Sequence, residues 1–141
     1  MKARVVYYSV TGNTRKVAES MAEALGVTAE SIGNGAEPGD ADVLFIGAAV
    51  YATHDHGLHP RVKEFIAGLD AKQVGLAAVF ATGFIQSDAV GLIRNLLTRQ
   101  GIKVANDSYF CKGRFALFNM GHPNAKELEA AREFAKQVTG S

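Results

Sequence analysis

Apolar blocks of two kinds alternate along this chain, and they predict strands that alternate with helices. Short runs rich in branched and aromatic residues are typical of strands, whereas apolar residues at i, i+3, i+4 and i+7 are typical of helices. The run from Val43 to Val50 is almost continuously apolar, as expected for a strand covered on both faces. The predicted strands are Ala3–Tyr8, Val27–Ile32, Val43–Val50, Val74–Ala81 and Ile102–Cys111, the last broken at Asn106-Asp107.

Four helices are predicted between and after these strands, and each has a boundary signal of the usual kind. These signals are Gly26 after Thr14–Leu25, Pro60 in the first turn of the second helix, Ser87 before and Gly101 after the third, and a capping box at Asn124–Glu127 at the start of the fourth. The segment Gly33–Asp40 holds three glycines and Pro38, which predicts a loop instead of a further helix. This alternation predicts a single α/β domain with a parallel sheet and right-handed crossovers.

The turn between the first strand and the first helix carries candidate chemistry. Ser9, Thr11 and Thr14 surround Gly12 at the start of a helix. There the first backbone N–H groups lack partners and the helix dipole adds roughly half a positive charge, so the turn suits a phosphate group. It is not a Walker A loop, because no Gly-Lys-Ser/Thr follows, and its single glycine excludes G-x-G-x-x-G. The alternative is an ordinary helix cap supplied by Ser9, Thr11 or Asn13.

This turn also resembles a known motif. Ser9-Val10-Thr11-Gly12-Asn13-Thr14 is similar to the Ser/Thr-x-Thr-Gly-x-Thr phosphate loop of flavodoxins, which also follows their first strand. The resemblance runs from Arg4 to about Val138 and includes Gly47–Ala52, similar to a Gly-x-Pro-Val-Tyr stretch, and Phe110–Gly113. It implies a three-layer, doubly wound parallel sheet of five strands in the order 2-1-3-4-5. Ligands of such sheets bind beyond the strand ends where the order reverses, here between strands one and three.

The resemblance implies that the chain binds FMN without a covalent bond. The phosphate is expected on residues 9–14, and the flavin ring against Tyr51, which can exclude water by offset stacking. Thr82 and the backbone after it are expected at the pyrimidine edge or the ribityl chain, and Phe84 is a candidate for the outer ring face. The remaining expected contacts come from Ala49, Val50, Ala52, Thr53 and Gly83.

The implied function is a carrier that shuttles single electrons between redox partner proteins, with no catalytic residue of its own. An FMN-dependent NAD(P)H or quinone reductase on the same fold stays open, although such enzymes usually carry longer insertions near the flavin. A phosphate-sensing, receiver-like module is the third class. It needs a carboxylate at the end of the first strand, where this chain has Tyr8-Ser9.

His54 and His56 flank Asp55 in the loop after the third strand, a spacing that also occurs in metal sites. A zinc site would need a further firm ligand, and His59 begins a predicted helix, so we expect a polar loop and no metal. A second hypothesis is that one of these histidines titrates near the flavin and favours its anionic reduced form. Cys111, at the end of an apolar strand, is expected to be a buried and inert thiol.

Composition narrows the class of protein further. The chain has 141 residues, a formal net charge of +1 and one cysteine. It carries no basic run, no apolar stretch near the ~20 residues of a membrane span and no signal peptide. We therefore expect a single domain with no nucleic-acid or membrane partner, in a reducing compartment and hence cytoplasmic. A monomer is the natural expectation for a carrier.

Overall fold

A computed structural model describes residues 1–49, 57–83, 88–113 and 121–140. These residues form one parallel sheet with helices on both of its faces. The elements, in chain order, are β1 (Ala3–Tyr7), α1 (Asn13–Leu25), β2 (Ala29–Ser31), a one-turn 3-10 helix (Ile32–Asn34), β3 (Ala41–Ala49), α2 (Pro60–Ala67), β4 (Val74–Gly83), α3 (Ala89–Arg99), β5 (Tyr109–Lys112) and α4 (Ala125–Thr139).

The strand order is β2-β1-β3-β4-β5, and every pairing is parallel, as the sequence predicted. From β1 the chain first moves outward to β2 and then returns to build β3, β4 and β5 on the other side. The order therefore reverses between β1 and β3, where Tyr7 pairs with Gly47. The carboxyl ends of β1, β3 and β4 lie side by side at this edge of the sheet, where ligands of such sheets bind.

Two apolar cores lie on opposite faces of the sheet because successive strand residues point to opposite sides. Leu44 and Ile46 of β3 pack with α2 and α3, whereas Val43 and Phe45 pack with α1 and α4. This arrangement confirms that β3 is buried on both faces. Gly47 continues the strand without a side chain because the Phe80 ring of β4 lies against its backbone.

The edge strands are shorter than the sequence predicted. The segment between β2 and β3 contains one 3-10 turn in place of the usual helix, in agreement with the loop expected there. The predicted last strand is interrupted. Val104 forms an isolated bridge to Ala77, and the regular pairing of β5 with β4 begins only at Tyr109. The break coincides with Asn106-Asp107, residue types that disfavour strands.

A bidentate ion pair fastens the three-residue strand β2 to the sheet. Arg4 of β1 donates to both carboxylate oxygens of Glu30, at 2.9 Å from Nε and 2.7 Å from Nη2. Its Nη2 also donates to the carbonyl of Glu37 at 2.9 Å. Paired donors of this geometry are the stronger class of ion pair. They hold both β2 and the loop after it.

The capping box predicted before the last helix is present. The Asn124 side chain accepts from the N–H of Glu127 at 2.8 Å, and the Glu127 carboxylate accepts from the N–H of Asn124 at 3.0 Å. The same carboxylate accepts from the N–H of Lys112 in β5 at 3.3 Å and contacts Nδ1 of His122. Burial alone would raise the pKa of Glu127, but these hydrogen bonds outweigh it and lower the pKa.

Helix α3 begins differently from its prediction. Ser87, the predicted cap, lies outside the described residues. Asp88 occupies the N-cap position, and in the described part of the chain no side chain caps this helix. Ala89, Ile93 and Leu97 are buried on its inner face, as the apolar spacing predicted. None of the helices in the described ranges combines the length and apolarity needed to cross a membrane.

Candidate functional site

The turn between β1 and α1 exposes the start of a helix that has no side-chain cap. Gly12 is the N-cap residue, with a φ of 91°, in the left-handed region that favours glycine. Within the described residues no side chain caps this helix, and its first turn carries no acidic residue. Ser9, Thr11 and Asn13, the alternative caps, therefore do not fill that role. The positive end of α1 faces the turn.

Side chains of the turn bind its backbone and one another through their oxygen atoms. Ser9 Oγ accepts from the N–H of Gly12 at 3.0 Å, and Thr11 Oγ1 accepts from Nδ2 of Asn13 at 3.0 Å. A hydroxyl has one proton to donate in addition to its acceptor lone pairs. Because both hydroxyls serve as acceptors inside the turn, each keeps its proton for donation. The turn is thus shaped by its own contacts and rich in donors, as an anion requires.

A buried hydrogen bond ties the turn to the end of β4. Oγ1 of Thr14 and Oγ1 of Thr82 lie 2.8 Å apart, and each residue is 1% exposed. One hydroxyl donates to the other, so each oxygen of the pair has a hydrogen-bond partner. Thr82, which we expected at the pyrimidine edge or the ribityl chain, is thereby joined to the turn at residues 9–14. Sequence reasoning placed both residues in the site but did not pair them.

A third segment approaches the turn after β5. The N–H of Gly113 donates to the carbonyl of Gly83 at 2.8 Å, which extends the β4–β5 pairing by one residue. The side chain of Asn13 packs so closely on Gly113 that a Cβ there would lie 2.6 Å from Asn13 Nδ2. In the sequence, the only indication of this close contact is the glycine that ends Phe110–Gly113, and no role was predicted for it. Gly113 is needed because any side chain would displace Asn13.

Part of the expected cofactor site lies outside the described residues. This applies to Val50, Tyr51, Ala52, Thr53 and Phe84, and also to His54 and His56. Of the other expected contacts, Ala49 ends β3 and pairs with Thr82, Gly83 pairs with Lys112, and Val10 is 63% exposed. In the described ranges no cluster of His, Cys, Asp and Glu side chains has a metal-binding arrangement.

Two further residues do not contribute charge or reactivity to the turn. Arg15 lies 3.4 Å from Glu19 one turn along α1, and both side chains are more than half exposed, so the pair faces solvent. Cys111 is buried, and burial followed by the Glu127 charge raises the pKa of its thiol to about 12. A thiol held so firmly protonated is inert, as the sequence predicted.

Comparison with known proteins identifies the family. A family model described as "Flavodoxin domain" matches residues 4–117. The chain belongs to the flavodoxin domain family. A curated relative of this flavodoxin-family chain, an uncharacterised protein of Methanocaldococcus jannaschii, is 28% identical over 153 aligned residues that cover 98% of each protein.

Solved structures share the fold of this flavodoxin-family chain along nearly its whole length. A flavodoxin from the domain Archaea matches with a TM-score of 0.78 and 20% identity, over 99% of this chain and 97% of the other. A Fusobacterium nucleatum flavodoxin bound to flavin mononucleotide matches with a TM-score of 0.66 and 12% identity, over 99% and 98% of the two chains. At these identities the likeness establishes the fold alone.

Proposed function

We propose that this protein binds FMN non-covalently and serves as a flavodoxin-type electron carrier between redox proteins. The observation that carries the proposal is the turn at residues 9–14. Its hydroxyl oxygens accept hydrogen bonds from within the turn, so their protons are available for donation beside the positive end of α1. A terminal phosphate has three oxygens that need many such donors. Family membership and the FMN-bound relative support the same cofactor.

In this proposal the residues bind, orient and shield the cofactor. Ser9 and Thr11 donate to the phosphate together with the first N–H groups of α1, and the buried Thr14–Thr82 pair holds the turn against β4. Tyr51, with its neighbours, excludes water from one face of the ring, and Phe84 is the candidate for the other. The flavin, when bound, supplies the chemistry by accepting and releasing electrons. We assign no acid, base or nucleophile to this chain.

The first experiment tests cofactor binding. Apoprotein is titrated with FMN while flavin fluorescence is recorded, and the thermal midpoint is measured with and without excess FMN. We expect quenching to a one-to-one endpoint and a rise in the midpoint, because a ligand that binds only the folded state stabilises it. A titration without quenching, together with an unchanged midpoint, would refute FMN binding. Riboflavin serves as the matched ligand without phosphate, and it should bind more weakly.

The second experiment separates a carrier from a reductase. The holoprotein is mixed with NADPH and a quinone, first alone and then with a flavodoxin reductase. A carrier is reduced only when the reductase protein is present. Direct turnover of NADPH by the holoprotein alone would assign it to the reductase class instead. Size-exclusion chromatography of the holoprotein checks the monomer that we expect for a carrier.

A further inference from the structure

An aromatic pair joins the end of β1 to the start of α2. The ring centroids of Tyr8 and His59 lie 4.3 Å apart with their planes 20° from parallel, which is a stacked arrangement. Tyr8 directly precedes the turn at residues 9–14, and His59 directly precedes α2, after the loop that carries Tyr51. The stack therefore connects the two segments that are proposed to hold the two halves of FMN.

His59 is also fixed by the helix that it begins. Its Nδ1 accepts from the N–H of Arg61 at 3.2 Å, which makes the ring the N-cap of α2, and Pro60 in the first turn restricts the backbone there. A histidine ring is an unusual cap, since Ser, Thr, Asp and Asn are preferred. Those residues would supply the acceptor but no ring for Tyr8. The structure thus gives His59 two contacts that only an aromatic acceptor can make together.

The contacts of the aromatic pair belong to a closed circuit of four residues. The Arg61 guanidinium donates to the carbonyl of Gly33 at 2.9 Å. Gly33 in turn lies against Tyr8, because a Cβ at Gly33 would stand 3.5 Å from Cε1 of the Tyr8 ring. Tyr8, His59, Arg61 and Gly33 thus form a circuit that links β1, α2 and the 3-10 turn. Each member of this circuit contacts two others.

We propose that Tyr8 and His59 are a positioning pair that sets the distance between the turn at residues 9–14, where the phosphate is proposed to bind, and the start of α2. The inference rests on the proposed FMN function. A ligand held at both ends gains affinity when its two sites are kept at a matching distance, since binding of one end raises the effective concentration of the other. Because the pair sets that spacing, its loss should lower the affinity for the whole FMN molecule more than the affinity for either half alone.

Four variants separate the stack from the cap. Tyr8→Leu removes one ring, whereas Tyr8→Phe keeps it. His59→Asn keeps an acceptor at the N-cap and removes the ring, whereas His59→Phe keeps the ring and removes the acceptor. We expect the FMN dissociation constant to rise roughly 3- to 10-fold in Tyr8→Leu and His59→Asn, and to stay within about twofold in the two phenylalanine variants. Binding of inorganic phosphate alone should change less than about twofold in all four.

Stability is measured beside affinity to exclude a general loss of folding. Tyr109→Leu is the control on the opposite face of the sheet, since it removes an aromatic pair with Phe134 (ring centroids 6.0 Å apart) and the hydrogen bond that the Tyr109 hydroxyl donates to the carbonyl of Glu127 at 2.6 Å. We expect Tyr109→Leu to lower the urea midpoint at least as much as Tyr8→Leu, with FMN affinity lowered only in Tyr8→Leu. If Tyr8→Leu does not fold, His59→Asn supplies the same comparison.

The outcomes distinguish the inference from the function on which it rests. Wild-type protein that fails to bind FMN refutes the function. Wild-type protein that binds FMN no more tightly than Tyr8→Leu and His59→Asn overturns the inference and leaves the function standing. The inference is also overturned if His59→Phe loses as much affinity as His59→Asn, since the cap would then be responsible. Equal losses of FMN and phosphate binding would overturn it too, by showing local damage to the turn.

Discussion

The hydroxyl oxygens of Thr14 and Thr82 lie 2.8 Å apart although 68 positions separate the two residues in the chain. The bond connects the first turn of α1 to the end of β4 in a position that excludes water. A buried hydroxyl without a partner costs about 1–3 kcal/mol. Pairing the two removes that cost and holds the turn at residues 9–14 against the sheet.

Removing one hydroxyl should therefore affect both stability and affinity. Thr82→Val keeps the shape of the side chain and leaves Thr14 without its partner. We expect the free energy of unfolding of the apoprotein to fall by about 1–3 kcal/mol and the FMN dissociation constant to rise. Urea unfolding and FMN titration measure the two effects. Thr98→Val, at an exposed site on α3, is the control and should change neither. An unchanged affinity in Thr82→Val would show that the pair is structural only.

Gly12 and Gly35 both adopt the left-handed backbone conformation, so alanine at Gly35 is a control for alanine at Gly12. A Cβ at Gly12 or at Gly35 would meet nothing within 4 Å, and their φ angles are 91° and 95°. Alanine at either position should cost about 1–2 kcal/mol of backbone strain for the same reason. We expect similar losses in unfolding free energy for Gly12→Ala and Gly35→Ala, but weaker FMN binding only for Gly12→Ala. Equal affinities in the two variants would argue against the turn as the phosphate site.

The carboxylate of Glu127 should make stability depend on pH. Its pKa is lowered in the folded protein from an ordinary value of 4.5, so its contribution is present above that pH and is lost as the pH falls through the lower folded value. We expect Glu127→Gln to reduce the unfolding free energy by about 1–3 kcal/mol at pH 7, where it removes charge-assisted hydrogen bonds. The difference should shrink at pH 3.

Urea unfolding at both pH values checks this prediction, with Glu129→Gln as the control. Glu129 belongs to the same helix and contacts Arg132 at 3.4 Å, but its side chain is 57% exposed. An exposed pair of this kind contributes less than about 1 kcal/mol. If the two glutamine variants have the same stability at pH 7, the link between α4 and β5 through Glu127 is unimportant.

The contact of Gly47 with Phe80 predicts that alanine at position 47 destabilises the protein and that a smaller side chain at position 80 restores part of the lost stability. A Cβ at Gly47 would lie 2.1 Å from Cε2 of the Phe80 ring, a distance at which the ring has to move. We expect Gly47→Ala to destabilise the protein by about 3 kcal/mol or more, at the upper end for overpacked cores. Phe80→Leu added to Gly47→Ala should recover part of the loss. A double variant no more stable than Gly47→Ala would show that the clash is not with the ring.

Local patterns in the sequence were enough to predict the order and type of the elements. Hydrophobic period, glycine and proline positions and the Asn124–Glu127 capping box act over a few residues, so they can be recognised without the fold. The strand order followed from the likeness of residues 9–14 to a flavodoxin loop, and the structure confirms it. The predicted strand boundaries were less accurate at the edges of the sheet, where β2 and β5 are short because few neighbouring elements support them.

The partners of individual side chains were decided by the tertiary structure alone. Nothing near Thr82 in the chain indicates that its hydroxyl meets Thr14, or that Gly113 leaves room for Asn13. Nor does the sequence around Tyr8 or His59 indicate that their rings stack. These contacts depend on which strands are neighbours and on their register, which are set by packing two cores against one sheet. The sequence determined the elements and the donor-rich turn, whereas long-range packing determined which residues of other strands and helices that turn contacts.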